Sequence, residues 1–356
     1  MKLGLALSGG GTRAIVFHLG VLKALAETAY WDDIKYLSTV SGGSLCVALI
    51  MSQNNNKWPT KEVYIQRILP KLKVMMISSN YNSIQKRLLN EGLFFIGLRA
   101  NYLSFLLNKI WKIKGNLNDL PETPRWAINC TCWETGKNWR FERKRMGDYV
   151  TNYVLYPDFP LAKAVAASAA YPWGIGTLKI KTSNYSWEKF VSDTTTESTK
   201  PLFKYLSLWD GGIYENLGVE CFFSPDHSKR PKDWLKRDID FCIVCDASQE
   251  LITCKRNYLF FLPLPQWLKS RIADIATDQT RSIRARWLFN YFQENQNGIY
   301  IRMGEGKEYG EKISKDKHKR LLGFKTSLNN FNEDDFDFLF KHAYELAKIR
   351  LESIIN

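Results

Sequence analysis

Apolar residues run through this chain in two rhythms. LGLALS (3–8) and IKYLSTV (34–40) are short apolar runs, and TRAIVFHLGVLKALAE (12–27) between them is apolar on nearly every side. A short apolar run bounded by glycine reads as a strand buried on both faces, and the longer stretch reads as the helix that crosses between two such strands. The first 50 residues therefore predict a βαβ unit with a parallel pair, and a second helix starting near Ser44-Leu45.

The rhythm then changes. SQNNN, Pro59, Pro70 and many lysines break the pattern after residue 52, which predicts an insertion over 52–122. Inside it, residues 88–114 mix apolar clusters with basic residues at near-helical spacing, a face that suits either a lipid surface or a cap packed on the body. Residues 125–133 and 136–142 read as a β-hairpin, and 158–174 as a small-residue helix stopped by Pro172. LFKYLSLWDGGIYENLG (202–218) reads as a strand opening into a glycine turn, and 240–248 as another buried strand. EDDFDFLFKHAYELAKIRLESI (333–354) is a terminal helix with acids first and bases later. The boundaries drawn are one domain over 1–356, with the insertion at 52–122 and a C-terminal extension at 255–356.

Composition narrows the partners. The 356 residues carry a net charge of +14, with 45% hydrophobic residues, 12 Trp, 17 Tyr and 20 Phe. A core is well supplied, and the charge favours an anionic partner: nucleic acid, phospholipid surface or acidic ligand. Basic residues are scattered rather than gathered in one run, and no dedicated nucleic-acid motif is present. No run approaches the roughly 18 apolar residues of a membrane span, and MKLGLALSGGG is too short for a signal peptide. Seven cysteines without an export signal read as reduced thiols. Cys242 and Cys245 lie three apart in a strand and so face opposite sides, which argues against a metal site there.

Three stretches carry candidate chemistry. Gly9-Gly10-Gly11 stands between a strand and a helix, where backbone amides and the helix dipole suit a phosphate or a transient oxyanion. Gly9-x-Gly11-x-x-Ala14 also fits a dinucleotide fingerprint. That fingerprint wants an acid at the end of the second strand, and Asp32 and Asp33 precede it. Thr39-Val40-Ser41-Gly42-Gly43 follows the second strand. A serine on such a turn presents its hydroxyl above the sheet edge, with small residues beside it because the turn has no room for others. Ser44, one step on, suits a helix cap. The serine needs a base, and none of His18, His227, His318 and His342 lies on a strand-end loop. Asp210, in WDGG at the end of a strand, is the better candidate, provided that burial raises its basicity.

Taken together, SGGGTR, VSGGS, ASAAYP and WDGG occur in the order and rough spacing of the patatin-like phospholipases, and the chain resembles that family over residues 1–50 and 158–218, less closely over 236–250. The resemblance implies a three-layer α/β sandwich with a central, mostly parallel sheet and a helical insertion. It implies a lipid acyl hydrolase with a Ser–Asp dyad: Ser41 as nucleophile, Asp210 as base, and Gly9, Gly10 and Gly11 as the oxyanion hole. Arg13 matches the arginine that follows the loop, to support it or to hold a lipid phosphate. No metal or other cofactor is required. The expected partner is a phospholipid membrane surface, approached from the cytoplasmic side by a peripherally associated protein. The insertion or the C-terminal part could house a site for a small-molecule activator. Two other readings are a ligand-regulated lipid-binding protein without catalysis, and a nucleic-acid-binding protein that uses the +14 charge.

Overall fold

The computed structural model describes residues 1–78, 84–91, 99–172, 174–225, 228, 233–236, 238–251, 266–304 and 314–355. Its strands are β1 (Leu3–Leu7), β2 (Ile34–Val40), β3 (Arg125–Cys132), β4 (Asn138–Phe141), β5 (Arg145–Asp148), β6 (Asn152–Leu155), β7 (Leu178–Lys181), β8 (Trp187–Phe190), β9 (Thr196–Thr199), β10 (Tyr205–Asp210), β11 (Phe241–Asp246) and β12 (Gly298–Arg302). They join one mixed sheet in the order β12-β11-β1-β2-β3-β4-β5-β6-β8-β9, with β10 paired to β3 and β7.

The central strands β12, β11, β1, β2 and β3 are parallel to one another. Helix α1 (Gly11–Ala26) crosses from β1 to β2, and α2 (Gly42–Ser52) leads away from β2. Alternation along these strands fills two cores. Leu3, Leu5, Leu7, Ile243 and Cys245 point into the larger one, with α1, α2 and the terminal helix Glu333–Ile355. Ala6, Cys242 and Val244 point the other way, toward Leu217, Phe222 and the helix Gln266–Asn295. Helices on both faces of a mixed, centrally parallel sheet make the three-layer α/β architecture expected. Cys242 and Cys245 fall on opposite faces, as period-2 alternation demands.

From β3 outward the sheet is antiparallel, through β4, β5, β6, β8 and β9. The β3–β4 hairpin matches its expected place. The strands beyond β4 in residues 145–199 were not read from the sequence, because each is only four residues long and a four-residue alternation is hardly a signal. Helix α2 starts at Gly42, two residues before the expected Ser44, so Ser44 lies inside it and does not cap it. The small-residue helix is Leu161–Ser168, shorter than the 158–174 drawn from the sequence. It stops because Ala169 leaves helical geometry and Ala170 turns its carbonyl to the amide of Asp210 at 3.0 Å.

In the 52–122 stretch, a continuous helical run (Lys61–Val63, Tyr64–Ile68, Leu69–Ile77) is followed by helices Ile84–Asn90 and Arg99–Lys109. Residues 92–98 of the mixed apolar–basic segment lie outside the described residues. The last of these helices turns Ala100, Leu103, Leu106 and Leu107 inward and leaves Phe105 exposed. Its described side therefore packs on the body.

Candidate active site

Strand β3 acts as the ruler that brings the site together. Strand β2 runs along one edge of β3 as far as Val40 opposite Asn129. The next residue of β3, Cys130, is opposite Asp210 of β10. The other edge of β3 is taken by β4 over Ile128 to Thr131, so β2 and β10 share one edge, end to end. The chain must leave the sheet at Ser41 because β10 takes over there. Asp210 stands where it does so.

The exit is abrupt. Ser41 has φ 49° and ψ −113°, a conformation that non-glycine residues avoid. Such backbone costs on the order of 1–3 kcal/mol and persists only where the surroundings enforce it. A Cβ at Gly42 would lie 2.4 Å from the carbonyl oxygen of Gly11, and one at Gly43 would lie 2.3 Å from that of Leu7. Both glycines are therefore demanded by packing against the strand β1 and its loop.

Thr39 takes the place where an elbow often has its first glycine. Its side chain is wholly buried and begins a chain of hydrogen bonds whose direction is fixed. Ser168 Oγ gives its only proton to the carbonyl of Asn129 at 2.7 Å, so it must accept from the Ser41 amide (2.9 Å) and from Ser44 Oγ (2.9 Å). Ser44, having donated, accepts from Thr39 Oγ1 at 2.8 Å, and Thr39 accepts from the indole N–H of Trp126 at 2.8 Å. The chain braces the turn on its inner side. Asn129 adds to it, donating to Ser38 Oγ at 2.9 Å and to the Thr39 carbonyl at 3.0 Å.

Ser41 Oγ donates to Asp210 Oδ2 at 2.8 Å. The residues are 9% and 6% exposed, so both are largely out of water. Asp210 Oδ1 accepts the amide of Gly212 at 2.8 Å, which points the other oxygen at the serine. Burial pushes the Asp210 carboxyl up from 3.8 to about 6, and the bonds from Gly212 and Ser41 oppose the rise. A carboxylate in that range is a far better base near neutral pH than an exposed aspartate.

The glycine loop lies against this pair. A Cβ on Gly9 would be 3.1 Å from that of Ser41. The expectation of three amide donors needs one correction: the Gly9 amide is already given to the carbonyl of Asn216 at 3.1 Å. The amides of Gly10 (φ 144°) and Gly11 (φ 62°), just before and at the start of α1, meet no acceptor among the described residues. Gly9 instead allows close approach, since a Cβ there would strike Asn216 Oδ1 at 2.3 Å. Asn216 thus sits between the glycine loop and the Asp210 turn, and its Nδ2 donates to Ser248 Oγ at 2.8 Å.

Arg13 is 2% exposed. It donates to the carbonyls of Ala247 (3.0 Å) and Phe324 (2.7 Å) and to Gln249 Oε1 (3.1 Å), which ties the loop to the C-terminal segment. That is the loop-support role; a lipid phosphate would have to displace these partners. Among the described residues no histidine bonds Ser41 or Asp210. His18 is buried against the Ser8 carbonyl at 2.9 Å, and burial draws its pKa down to about 4. His342 is likewise drawn down to about 4 by burial, and His318 stands near Glu250. His227 lies outside the described residues.

Ser168, Asn129, Trp126 and Asn216 were not singled out from the sequence. Ser168 belongs to ASAAYP and Asn216 to DGGIYENLG, so both sat inside recognised motifs. Their roles depend on which strands become neighbours.

A serine on a strained strand-to-helix turn, hydrogen-bonded to a buried carboxylate at the C-terminal edge of a three-layer sheet, is the arrangement of an α/β protein with a nucleophile elbow. The chain belongs to the patatin-like phospholipase family, whose model matches residues 5–223. It is similar to a patatin-like phospholipase domain-containing protein of Chaetomium globosum (28% identical over 173 residues) and to one of Neurospora crassa (27% over 189 residues). Each match covers 48% of this chain and 18% of the relative, so the chain spans less than a fifth of those proteins. In fold it resembles human GIVD cytosolic phospholipase A2 with a TM-score of 0.54 at 11% identity, over 99% of this chain and 59% of that one.

Proposed function

We propose that this protein is a lipid acyl hydrolase that cleaves the carboxyl esters of phospholipids through a serine acyl-enzyme. The observation that carries the reading is the 2.8 Å contact from Ser41 Oγ to Asp210 Oδ2 at the strained turn. Asp210 takes the hydroxyl proton as Oγ attacks the ester carbonyl carbon. The Gly10 and Gly11 amides stabilise the oxyanion, each worth on the order of 3 kcal/mol of barrier. Collapse expels the alcohol part of the lipid, which takes the proton from Asp210. Water, deprotonated by Asp210, then attacks the acyl-enzyme and frees the fatty acid and the serine.

The substrate class is supported by family membership, and the charge of +14 favours an anionic bilayer over a neutral oil droplet. Among the described residues no helix is long and apolar enough to cross a membrane. In this reading the protein works as a peripheral enzyme on the inner face of the membrane.

A fluorophosphonate ester probe, which reacts with activated serines, tests the chemistry. Wild type is expected to be labelled at Ser41, with Ser41→Ala unlabelled and lipid extracts left intact by mass spectrometry. Absence of labelling in wild type would favour lipid binding without catalysis. With a carboxyl near 6, the hydrolysis rate falls as pH drops through about 6. Stability runs the opposite way. The folded state holds a proton on Asp210 between about 4 and 6 that the unfolded chain has lost, so this group's contribution to stability declines as pH rises across that window.

A further inference from the structure

A cavity lies away from Ser41 and Asp210. It has a volume of about 610 Å³, within the range of small-molecule sites, and its walls include Arg125, Arg140, Lys144, Arg145 and Phe190. The register shows why these residues gather. Arg140 of β4 is opposite Asn129 of β3 and Gly147 of β5. Since side chains alternate, Arg125, Arg140, Arg145 and, through β6, Tyr153 share one face of the antiparallel part of the sheet. Arg125 opens β3, whereas Cys130, opposite Asp210, is five residues further on. At about 3.3 Å per residue the cavity and the catalytic turn are roughly 17 Å apart along that strand.

The charges do not cancel. Of the four acids on the wall, Glu122 is paired with Arg143 at 2.7 Å and Glu220 with Arg284, which lies outside the cavity. Among the described residues of the wall, Arg125, Arg140, Lys144 and Arg145 then face Glu142 and Asp193. Arg145 is laid over the rings of Tyr153 (4.9 Å) and Phe190 (5.5 Å), and Arg125 over Tyr36 (5.8 Å), contacts that fix the guanidinium planes without neutralising them. Among the described residues no carboxylate forms an ion pair with Arg125, Arg140 or Arg145, and the buried Nε of Arg140 has no acceptor there. Guanidinium groups held in this way suit forked hydrogen bonding to a tetrahedral oxyanion.

We infer that this cavity is a binding site for a phosphate group, carried either by a free small molecule or by a lipid headgroup, and separate from the catalytic crevice. The inference does not depend on the esterase reading, because a catalytically dead protein would keep the site. It is tested with the full chain carrying Ser41→Ala, by calorimetric titration with sodium pyrophosphate and by co-sedimentation with phosphatidylcholine vesicles with or without phosphatidic acid. Two further variants are compared, Arg140→Gln with Arg145→Gln, and Arg140→Lys with Arg145→Lys, each checked by its unliganded melting temperature.

Binding of pyrophosphate that weakens at least about tenfold in the glutamine pair, and less in the lysine pair, supports the site with a free phosphate as its ligand. Phosphatidic acid-dependent sedimentation that is lost in the glutamine pair, with pyrophosphate silent, supports it with a headgroup as its ligand. Equal binding by wild type and a folded glutamine pair, or no binding of either probe, overturns it. If the glutamine pair does not fold, the lysine pair decides: affinity equal to wild type overturns the proposal.

Discussion

The two halves of the sheet are built differently. In the parallel half, every residue of β1 and of β11 is buried, and helices cover both faces. In the antiparallel half, β4 alternates buried with half-buried residues, β7 alternates buried with exposed ones, and β9 is not buried anywhere. One face there is left to water and to arginines. The candidate dyad belongs to neither half alone: Ser41 ends a parallel strand and Asp210 ends an antiparallel one, and both meet on the edge of β3. A parallel sheet offers helix starts and amides at one edge. The antiparallel arm supplies the carboxylate that reaches Ser41, whereas Asp246, the acid that ends parallel β11, is paired with Arg281 at 3.1 Å.

The largest effect expected from breaking the seam is chemical. Asp210→Asn keeps the shape but removes the proposed base, and ester hydrolysis is expected to fall by about 10³-fold or more in kcat. Near pH 8 the same variant should unfold at higher denaturant, by up to about 3 kcal/mol, because a buried ionised carboxylate is gone, and the gain should vanish near pH 4. Loss of activity together with loss of stability would mean that the carboxylate serves the fold. A rate within a few-fold of wild type would remove Asp210 from the mechanism.

Next is the contrast between halves in tolerance to a single methyl group. Gly43→Ala drives a Cβ into the Leu7 carbonyl and is expected to cost about 3 kcal/mol or more. Gly136→Ala, in the β3–β4 turn, meets nothing within 4 Å, and only its φ of 65° resists, at about 1 kcal/mol. Urea titration of both variants measures the difference; equal costs would mean that the tight contact between β1 and the elbow is absent. The smallest effect belongs to the open arm. Glu122→Gln breaks its exposed pair with Arg143 and should change stability by less than about 1 kcal/mol.

How much of this was legible in the sequence differs between the halves in the same way. The sequence places β2 at 34–40 and the structure at Ile34–Val40, because a largely buried strand is a mostly apolar run that ends just before the Ser41-Gly42-Gly43 turn. The short strands β5 to β9 left no such trace. Serine 41 could be read from its glycines, which backbone crowding demands locally. Ser168 could not: nothing in ASAAYP says that its hydroxyl accepts the amide of a residue 127 positions earlier.

The sequence by itself determined the parallel core, the turn at Ser41 and the acidic turn at Asp210, since each rests on local rules of burial and backbone freedom. Only the tertiary structure decided that β10 continues the edge which β2 abandons, that Gly9 gives its amide to Asn216, and that three arginines line one face. Those outcomes depend on strand order and register, which are set by packing summed over the whole chain and are written in no short stretch of it.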